Sequence, residues 1–358
     1  MITFEQAAKM AVSYDPHNDM FSEYENAYEF YSSARPEMIG PQPCVIAKET
    51  GERLFWDDEL FGDFDYGELV AEGEIPAEWR PVLRGVRDAV YGAAVGDALG
   101  VPYEFMGRDS FECTGMASGG VHGKPAGTFS DDTSMMLALC DSIRECGRVD
   151  ARDMRKRFND WMRNGAYTAD GDVFDVGNTV ATALSEGEGC EGEWSNGNGS
   201  LMRIAPLAYT HADDDDVRAA SAITHAHRIS AESCVCLVML IRNLVGGNPL
   251  DLALRYSIPE GSEFAFLANV ASWPRDEVKS GGFVLDTLGA AIWCFANTAS
   301  YAECVLAAVN LGGDSDTTAC VAGALAGAYY GYESIPGEWI EALRGKDVIE
   351  KSMFWGEI

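Results

Sequence analysis

Two apolar stretches carry glycine at every fourth position, Gly92, Gly96 and Gly100 in the first and Gly323, Gly327 and Gly331 in the second. Residues four apart share one side of an α-helix, so each stretch presents a face without side chains. Such a face lets a second helix approach closely, and a chain that has two of them is built around tight helix contacts. The second stretch, from Val321 to Gly331, is apolar, free of proline and free of charge, and reads as a buried helix. Immediately before it stand Gly312, Gly313, Asp314, Ser315, Asp316, Thr317 and Thr318. Two carboxylates and three hydroxyls therefore lie at the N-terminal end of a helix with no charges of its own. Acids there are often caps, but two with hydroxyls beside them also make a hard oxygen site suited to Mg²⁺, Mn²⁺ or Ca²⁺.

The same pattern occurs earlier. Ser130, Asp131, Asp132 and Thr133 follow a loop and precede the apolar run from Met135. One such segment is explained by capping. Two are better explained by shared ions, because four crowded carboxylates without cations repel one another and raise each other's pKa.

From Pro81 onward the periodicity is helical. It predicts helices near Val82–Leu99, Asp132–Cys146, Ala151–Asn164, Asn178–Glu186, Ser200–Tyr209, Asp213–Thr224, Ile229–Leu244, Gly282–Ala296, Tyr301–Asn310 and Glu338–Arg344. No run of alternating β-branched residues interrupts them, so the large domain is expected to be all-α. The acids Asp213 to Asp216 read as a helix cap. Residues 1–78 differ. A helix is expected over Phe4–Val12, and strands over 26–32 and 44–56, the latter folding back at Thr50-Gly51. The very acidic stretch 57–78, which includes Pro76, reads as a linker. The expected organisation is a small acidic α+β domain, residues 1–78, before an all-α domain, residues 79–358. The first is either a stabilising appendage or a module for a protein partner.

A net charge of −31 opposes binding to nucleic-acid backbones and anionic membranes. The longest apolar run, Cys234 to Ile241, is too short to span a bilayer. The start of the chain shows no secretory pattern, and the ten cysteines form no Cys-x-x-Cys pair. A cytoplasmic protein with buried thiols and no zinc is the expectation.

Three further segments bear on chemistry. Asp97 lies at a helix end, and Glu104 lies in the loop after Pro102. Asn196-Gly-Asn198-Gly199-Ser200-Leu-Met202-Arg203 is a glycine-rich loop whose N–H groups could cradle a phosphate. Thr224-His225-Ala-His227 spaces its imidazoles too closely for both to bind one ion, and the loop through Asp175 is polar and aromatic. Asp314-x-Asp316-x-Thr318 also fits the nucleophile motif of haloacid-dehalogenase-like phosphatases. That motif follows an apolar strand, whereas this one follows a helix and a Gly-Gly turn.

Taken together, these motifs resemble the ADP-ribosylglycohydrolase family over about residues 85 to 345. The resemblance rests on Gly96-Asp97-Ala-Leu-Gly with Glu104, Ser130-Asp131-Asp132-Thr133, Asn198-Gly199-Ser200-Leu-Met202-Arg203, Thr224-His225-Ala-His227 and Gly312-Gly313-Asp314-Ser-Asp316-Thr317-Thr318, in the family's order. It implies an all-α fold with two divalent cations, Mg²⁺ or Mn²⁺, at the bottom of a cleft. By matching position, the metal ligands would be Ser130, Asp131, Asp132, Asp314, Asp316 and Thr317. The family commonly has Thr where Ser130 stands, and the hydroxyl is kept. Glu104 would be the catalytic glutamate, with Asp131 or Asp314 as the other carboxylates able to act as base. Asn198, Gly199, Ser200 and Met202 would surround the diphosphate and distal ribose, His225 would contact substrate, and Asp175 would lie near the scissile bond. The implied reaction hydrolyses the N- or O-glycosidic bond between ADP-ribose and a modified protein side chain, through an oxocarbenium-like state. The other readings are a non-catalytic ADP-ribose binder or structural relative, and a hydrolase of free ADP-ribose derivatives.

Overall fold

Close packing of the two glycine-bearing helices organises the large unit. The computed structural model describes residues 2–14, 18–31, 44–54, 64–76, 85–259, 261 and 263–354. They fall into two compact units, Met1–Leu83 and Arg84–Ile358.

In the first unit, α1 (Phe4–Tyr14) packs Ala7, Ala8, Ala11 and Val12 against Tyr28, Phe30 and Ile46 of a sheet. The sheet is antiparallel, with strands β1 (Met20–Tyr24), β2 (Ala27–Tyr31), β3 (Cys44–Ala47), β4 (Arg53–Leu54) and β5 (Leu69–Glu74) in the order β4-β3-β2-β1-β5. The hairpin of β3 and β4 turns through residues 48–50 into Gly51, whose φ of +74° suits glycine. Two strands depart from expectation. β1 was not anticipated, and β5 lies inside the stretch read as linker. The residues of β5 are almost all exposed, so its place comes from backbone pairing with β1 (Met20 opposite Glu74, Ser22 opposite Glu72), which a hydrophobic pattern does not report. Residues 57–63, 77 and 78 of that stretch lie outside the described ones.

The large unit is helical: α2 (Val86–Gly100), α3 (Asp131–Cys146), α4 (Ala151–Asn164), α5 (Asn178–Glu186), α6 (Asp214–Ala222), α7 (Arg228–Val245), α8 (Leu250–Ser257), α9 (Val284–Ala296), α10 (Tyr301–Val309), α11 (Ser315–Tyr330), α12 (Gly337–Ala342) and α13 (Lys346–Ser352). Asp213 caps α6 with Asp216 as its reciprocal partner, as the run of acids predicts. Helices α8 and α13 were not anticipated. The expected helix Ser200–Tyr209 is instead a turn followed by a 3₁₀ segment, Ala205–Tyr209, with Pro206 in its first turn. The start expected at Val82 lies outside the described residues.

The two glycine ladders face each other. A Cβ on Gly92 would sit 2.2 Å from the Gly323 carbonyl oxygen, and one on Gly96 would sit 2.0 Å from that of Ala319. One on Gly100 would lie 2.3 Å from the Asp316 Cα. Side chains are absent here because backbones occupy their space. Gly331 is the exception in its ladder: it caps α11 at φ +88°. The Tyr301 hydroxyl, fully buried, donates to the Gly92 carbonyl (2.7 Å) and ties α10 to the pair. Gly96→Val should therefore overpack a backbone contact that cannot yield. The expected cost is about 1–3 kcal/mol or more, read as a lower urea midpoint with unchanged slope.

Candidate metal and substrate site

Because Gly100 rests on the backbone of Asp316, the end of α2 and the start of α11 are held together. Asp97 is one turn back on α2 and fully buried. Its carboxylate accepts from the Ser130 N–H (2.9 and 3.0 Å), the Thr133 N–H (3.1 Å) and the Thr133 hydroxyl (2.6 Å). Asp97 thus docks the N-terminus of α3 onto α2. In doing so it brings Asp132 to Asp316, and the Thr317 hydroxyl donates to Asp132 (3.2 Å).

Glu104 is delivered by a short backbone pairing. The Phe105 N–H donates to the Gly313 carbonyl (2.7 Å) and the Gly313 N–H to that of Met106 (2.8 Å). Gly312 and Gly313 have φ of +70° and +76°, which turns the chain sharply into α11. Glu104, Asp314 and Asp316 each offer an oxygen within 4.8 Å of the others. Asp97, Asp132 and Asp316 form a second such group, and Glu104, His122 and Asp175 a third. Asp131 belongs to none of these groups, although its charge acts on Asp132 and its own carboxyl feels Asp175, Asp97, Glu104 and Asp314.

Burial is the main electrostatic fact. It pushes the carboxyls of Asp131, Asp132 and Asp316 well up, and the neighbouring acids push in the same direction. Glu104 is raised to about 9, first by burial and then by Asp175, Asp314 and Asp97. Asp97 is raised by burial to about 6, against the pull of the hydrogen bonds it accepts. Asp175 is raised by burial, with His122 opposing. Among the described residues, no Lys or Arg makes an ion pair with Asp97, Glu104, Asp131, Asp132, Asp314 or Asp316. The Asp132 Oδ2, the Asp316 Oδ2 and the Thr318 hydroxyl, all buried, have no hydrogen-bond partner. An all-oxygen cluster with unclaimed carboxylate oxygens and no protein cation to balance it fits a hard divalent ion. Ser130 caps α3 by accepting from the Asp132 N–H (3.3 Å), and its hydroxyl keeps a further lone pair.

The Asn198 loop enters from the other side. The Asn198 side-chain amide donates to Asp314 Oδ2 (2.9 Å) and to the Thr287 hydroxyl (2.9 Å), and its N–H donates to the Gly282 carbonyl (3.1 Å). Loop and acidic cluster are therefore one site. Ser200 and Met202, however, turn their side chains into the core. The Ser200 hydroxyl meets the Ser221 hydroxyl (2.9 Å), and Met202 is 3% exposed. The Ser200 N–H has no backbone acceptor among the described residues, whereas the Met202 N–H donates to the Asn198 carbonyl (3.0 Å) and its carbonyl accepts from the Cys320 thiol (3.6 Å). His225 lies under the loop, its Nδ1 2.8 Å from the Thr224 hydroxyl. A Cβ on Gly199 would lie 2.8 Å from the His225 ring. Burial and Arg203 lower His225 to about 3, so it is a neutral imidazole at working pH.

Two residues beside the site carried no expectation. His122 shares a short hydrogen bond with Glu104 and has its Nε2 3.9 Å from Asp175. Lys124, 7% exposed, reaches Asp172 (2.7 Å) and Asp170 (3.4 Å) and lies 4.5 Å over the Phe174 ring. Both sit on a small glycine turn closed between Gly119 and Lys124. Together they grip the loop that holds Asp175, a non-glycine residue at φ +56°. The only sequence signal was the glycine density around them. Asp97 was visible as part of a motif, but its role in docking α3 was not.

A family model described as ADP-ribosylglycohydrolase matches residues 79–355. The chain is 34% identical over 279 residues to the ADP-ribosylarginine hydrolase Tri1 of Serratia proteamaculans (strain 568), covering 73% of this chain and 75% of that protein. It is 31% identical over 271 residues to the ADP-ribosyl-[dinitrogen reductase] glycohydrolase of Rhodospirillum rubrum, covering 71% and 88%. Human ADP-ribosylhydrolase ARH3 is 24% identical over 348 residues, covering 76% and 93%. A solved structure described as an ADP-ribosylglycohydrolase-related protein complex aligns with a TM-score of 0.63 at 34% identity, covering 75% of this chain and 94% of that one. With helical architecture, acidic cluster and sequence in agreement, the chain belongs to the ADP-ribosylglycohydrolase family.

Proposed function

We propose that this protein is a hydrolase dependent on divalent cations, Mg²⁺ or Mn²⁺, that releases ADP-ribose from a modified protein side chain. Arginine is the favoured linkage, because bacterial relatives above 30% identity include proteins named as an ADP-ribosylarginine hydrolase and an ADP-ribosyl-[dinitrogen reductase] glycohydrolase. The observation that carries the reading is the buried cluster of Asp97, Glu104, Asp132, Asp314 and Asp316, whose charge the protein leaves unbalanced and two of whose oxygens lack any donor. Residues 79–358 form the catalytic unit. Residues 1–78 are a separate acidic domain available to a protein partner. Ten free cysteines suit a cytoplasmic setting.

Ser130, Asp131, Asp132, Asp314, Asp316 and Thr317 would hold two ions, which supply Lewis acidity and a water of lowered pKa. Asn198, Gly199, Ser200 and Met202 line the diphosphate and distal ribose, with the N–H groups of Gly199 and Ser200 facing the ligand, and neutral His225 supports them. Asp175 stands near the scissile bond. Glu104 is the first choice for moving the proton of the attacking water, with Asp131 or Asp314 as alternatives. His122 orients Glu104 by its hydrogen bond.

The test is ADP-ribose release from arginine- and serine-modified proteins, with Mg²⁺ or Mn²⁺ and then with EDTA. Release from the arginine linkage, lost in EDTA and restored by the ion, is expected. No release from either linkage, with ADP-ribose still bound tightly, would make the protein a reader and overturn the proposal.

A further inference from the structure

Arg203 is fully buried, yet among the described residues no carboxylate forms an ion pair with it, and Asp131 acts on its charge only from a distance. Its guanidinium donates to the Gly199 carbonyl (2.6 Å) and the Ala220 carbonyl (3.1 Å), its Nε has no acceptor, and its Cζ lies 4.7 Å over the Phe158 ring. Carbonyl dipoles and a ring face leave a full charge in the core. A buried cation with only a distant carboxylate to balance it is costly, and the cost is relieved when a nearer anion arrives. Burial lowers Arg203 only to about 10, so it stays charged at neutral pH.

The residue lies directly beneath the Asn198 loop. Because the peptide is planar and trans, a Gly199 carbonyl turned inward to Arg203 sends the Ser200 N–H the opposite way. The N–H groups of Gly199, Ser200 and Leu201 have no backbone acceptor among the described residues. Successive free N–H groups with a cation behind them make an anion nest. His225, the other basic side chain under the loop, is neutral and supplies no charge.

We propose that Arg203 is the buried counter-charge for the diphosphate of the ligand, and that it orients the 198–202 loop so that its free N–H groups face that anion. This rests on the proposed binding of ADP-ribose at the loop. Arg203 does not touch the ligand; it acts through the Gly199 peptide and through its field, which is screened little in the core.

Two variants separate charge from scaffold. Arg203→Gln keeps a donor for the Gly199 carbonyl and loses the charge, whereas Arg203→Lys keeps the charge and loses the forked geometry. Calorimetry with ADP-ribose should show a dissociation constant raised about tenfold or more in Arg203→Gln and by less than about threefold in Arg203→Lys. Thermal unfolding and amide exchange over residues 197–202 serve as the structural readouts. Equal weakening in both variants with faster exchange of the loop, unchanged affinity in Arg203→Gln, or failure of both variants to fold would each overturn the proposal. If the unaltered protein binds no ADP-ribose, the proposed function fails and this inference falls with it. If the unaltered protein binds and Arg203→Gln binds equally, only the inference fails.

Discussion

Replacing Asp316 by alanine is expected to abolish divalent-cation binding and turnover together, with activity down by about 10³-fold or more. Asp316 is fully buried in the first turn of α11, one oxygen accepting from its neighbour's N–H (3.0 Å) and the other receiving no donor. It belongs to both inner groupings of carboxylates, the one with Glu104 and Asp314 and the one with Asp97 and Asp132, so its loss opens both. The metal-free variant should be no less stable than the parent, because a buried carboxylate repelled by Asp132 and Asp314 has been removed. Mg²⁺ or Mn²⁺ should raise the unfolding midpoint of the parent and leave that of the variant unmoved. A variant with parental turnover, or one that Mg²⁺ still stabilises, would remove Asp316 from the site.

The second large effect concerns pH. In the absence of ions, stability should fall as pH rises from about 4.5 to about 9. Glu104 has its folded pKa raised from 4.5 to about 9, and Asp97 from 3.8 to about 6. Between the two values of each group, the folded protein holds a proton that the unfolded chain has released. The unfolded state then binds fewer protons, and the slope of stability against pH is negative. The stabilisation is complete below the unfolded pKa and lost as pH passes the folded one. Cations reverse this, since they compete with protons for the same oxygens. The rise in unfolding midpoint on adding Mg²⁺ should therefore be larger at pH 8 than at pH 5. Urea unfolding in EDTA and in Mg²⁺ across that range checks both parts; stability that climbs with pH in EDTA would contradict the account of the cluster.

Local sequence was a good guide to the acidic cluster and a poor one to what surrounds it. Asp131, Asp132, Asp314 and Asp316 stood out because each pair precedes an uncharged apolar helix, a pattern that costs energy unless something is bound. Asn198 and the loop around it stood out through glycine spacing. Ser200 and Met202 were legible as loop members, but the direction of their side chains was not, because a turn and a following helix of the same residues differ in which atoms face the cleft. His122 and Lys124 left almost no trace, since their partners Glu104, Asp175, Asp170 and Asp172 are distant in the chain. In the N-terminal unit, β5 escaped notice because an exposed edge strand is held by backbone hydrogen bonds and has no buried face to advertise.

By itself, the sequence determined that the large unit is helical, that two of its helices present bare glycine faces, and that two pairs of acids open apolar helices, a crowding of charge that cations would relieve. These follow from periodicity, from the missing Cβ and from the cost of crowded charge, all of which are local or compositional. Only the tertiary structure decided which helices meet, through Gly92 and Gly96 seated on the carbonyls of Gly323 and Ala319. It alone put Gly100 on the Asp316 backbone, Asp97 under the start of α3 and Arg203 beneath the loop. Each of these is a contact between residues far apart in the chain, chosen by close packing and by the demand that buried polar groups find partners, and neither constraint acts until the core has closed.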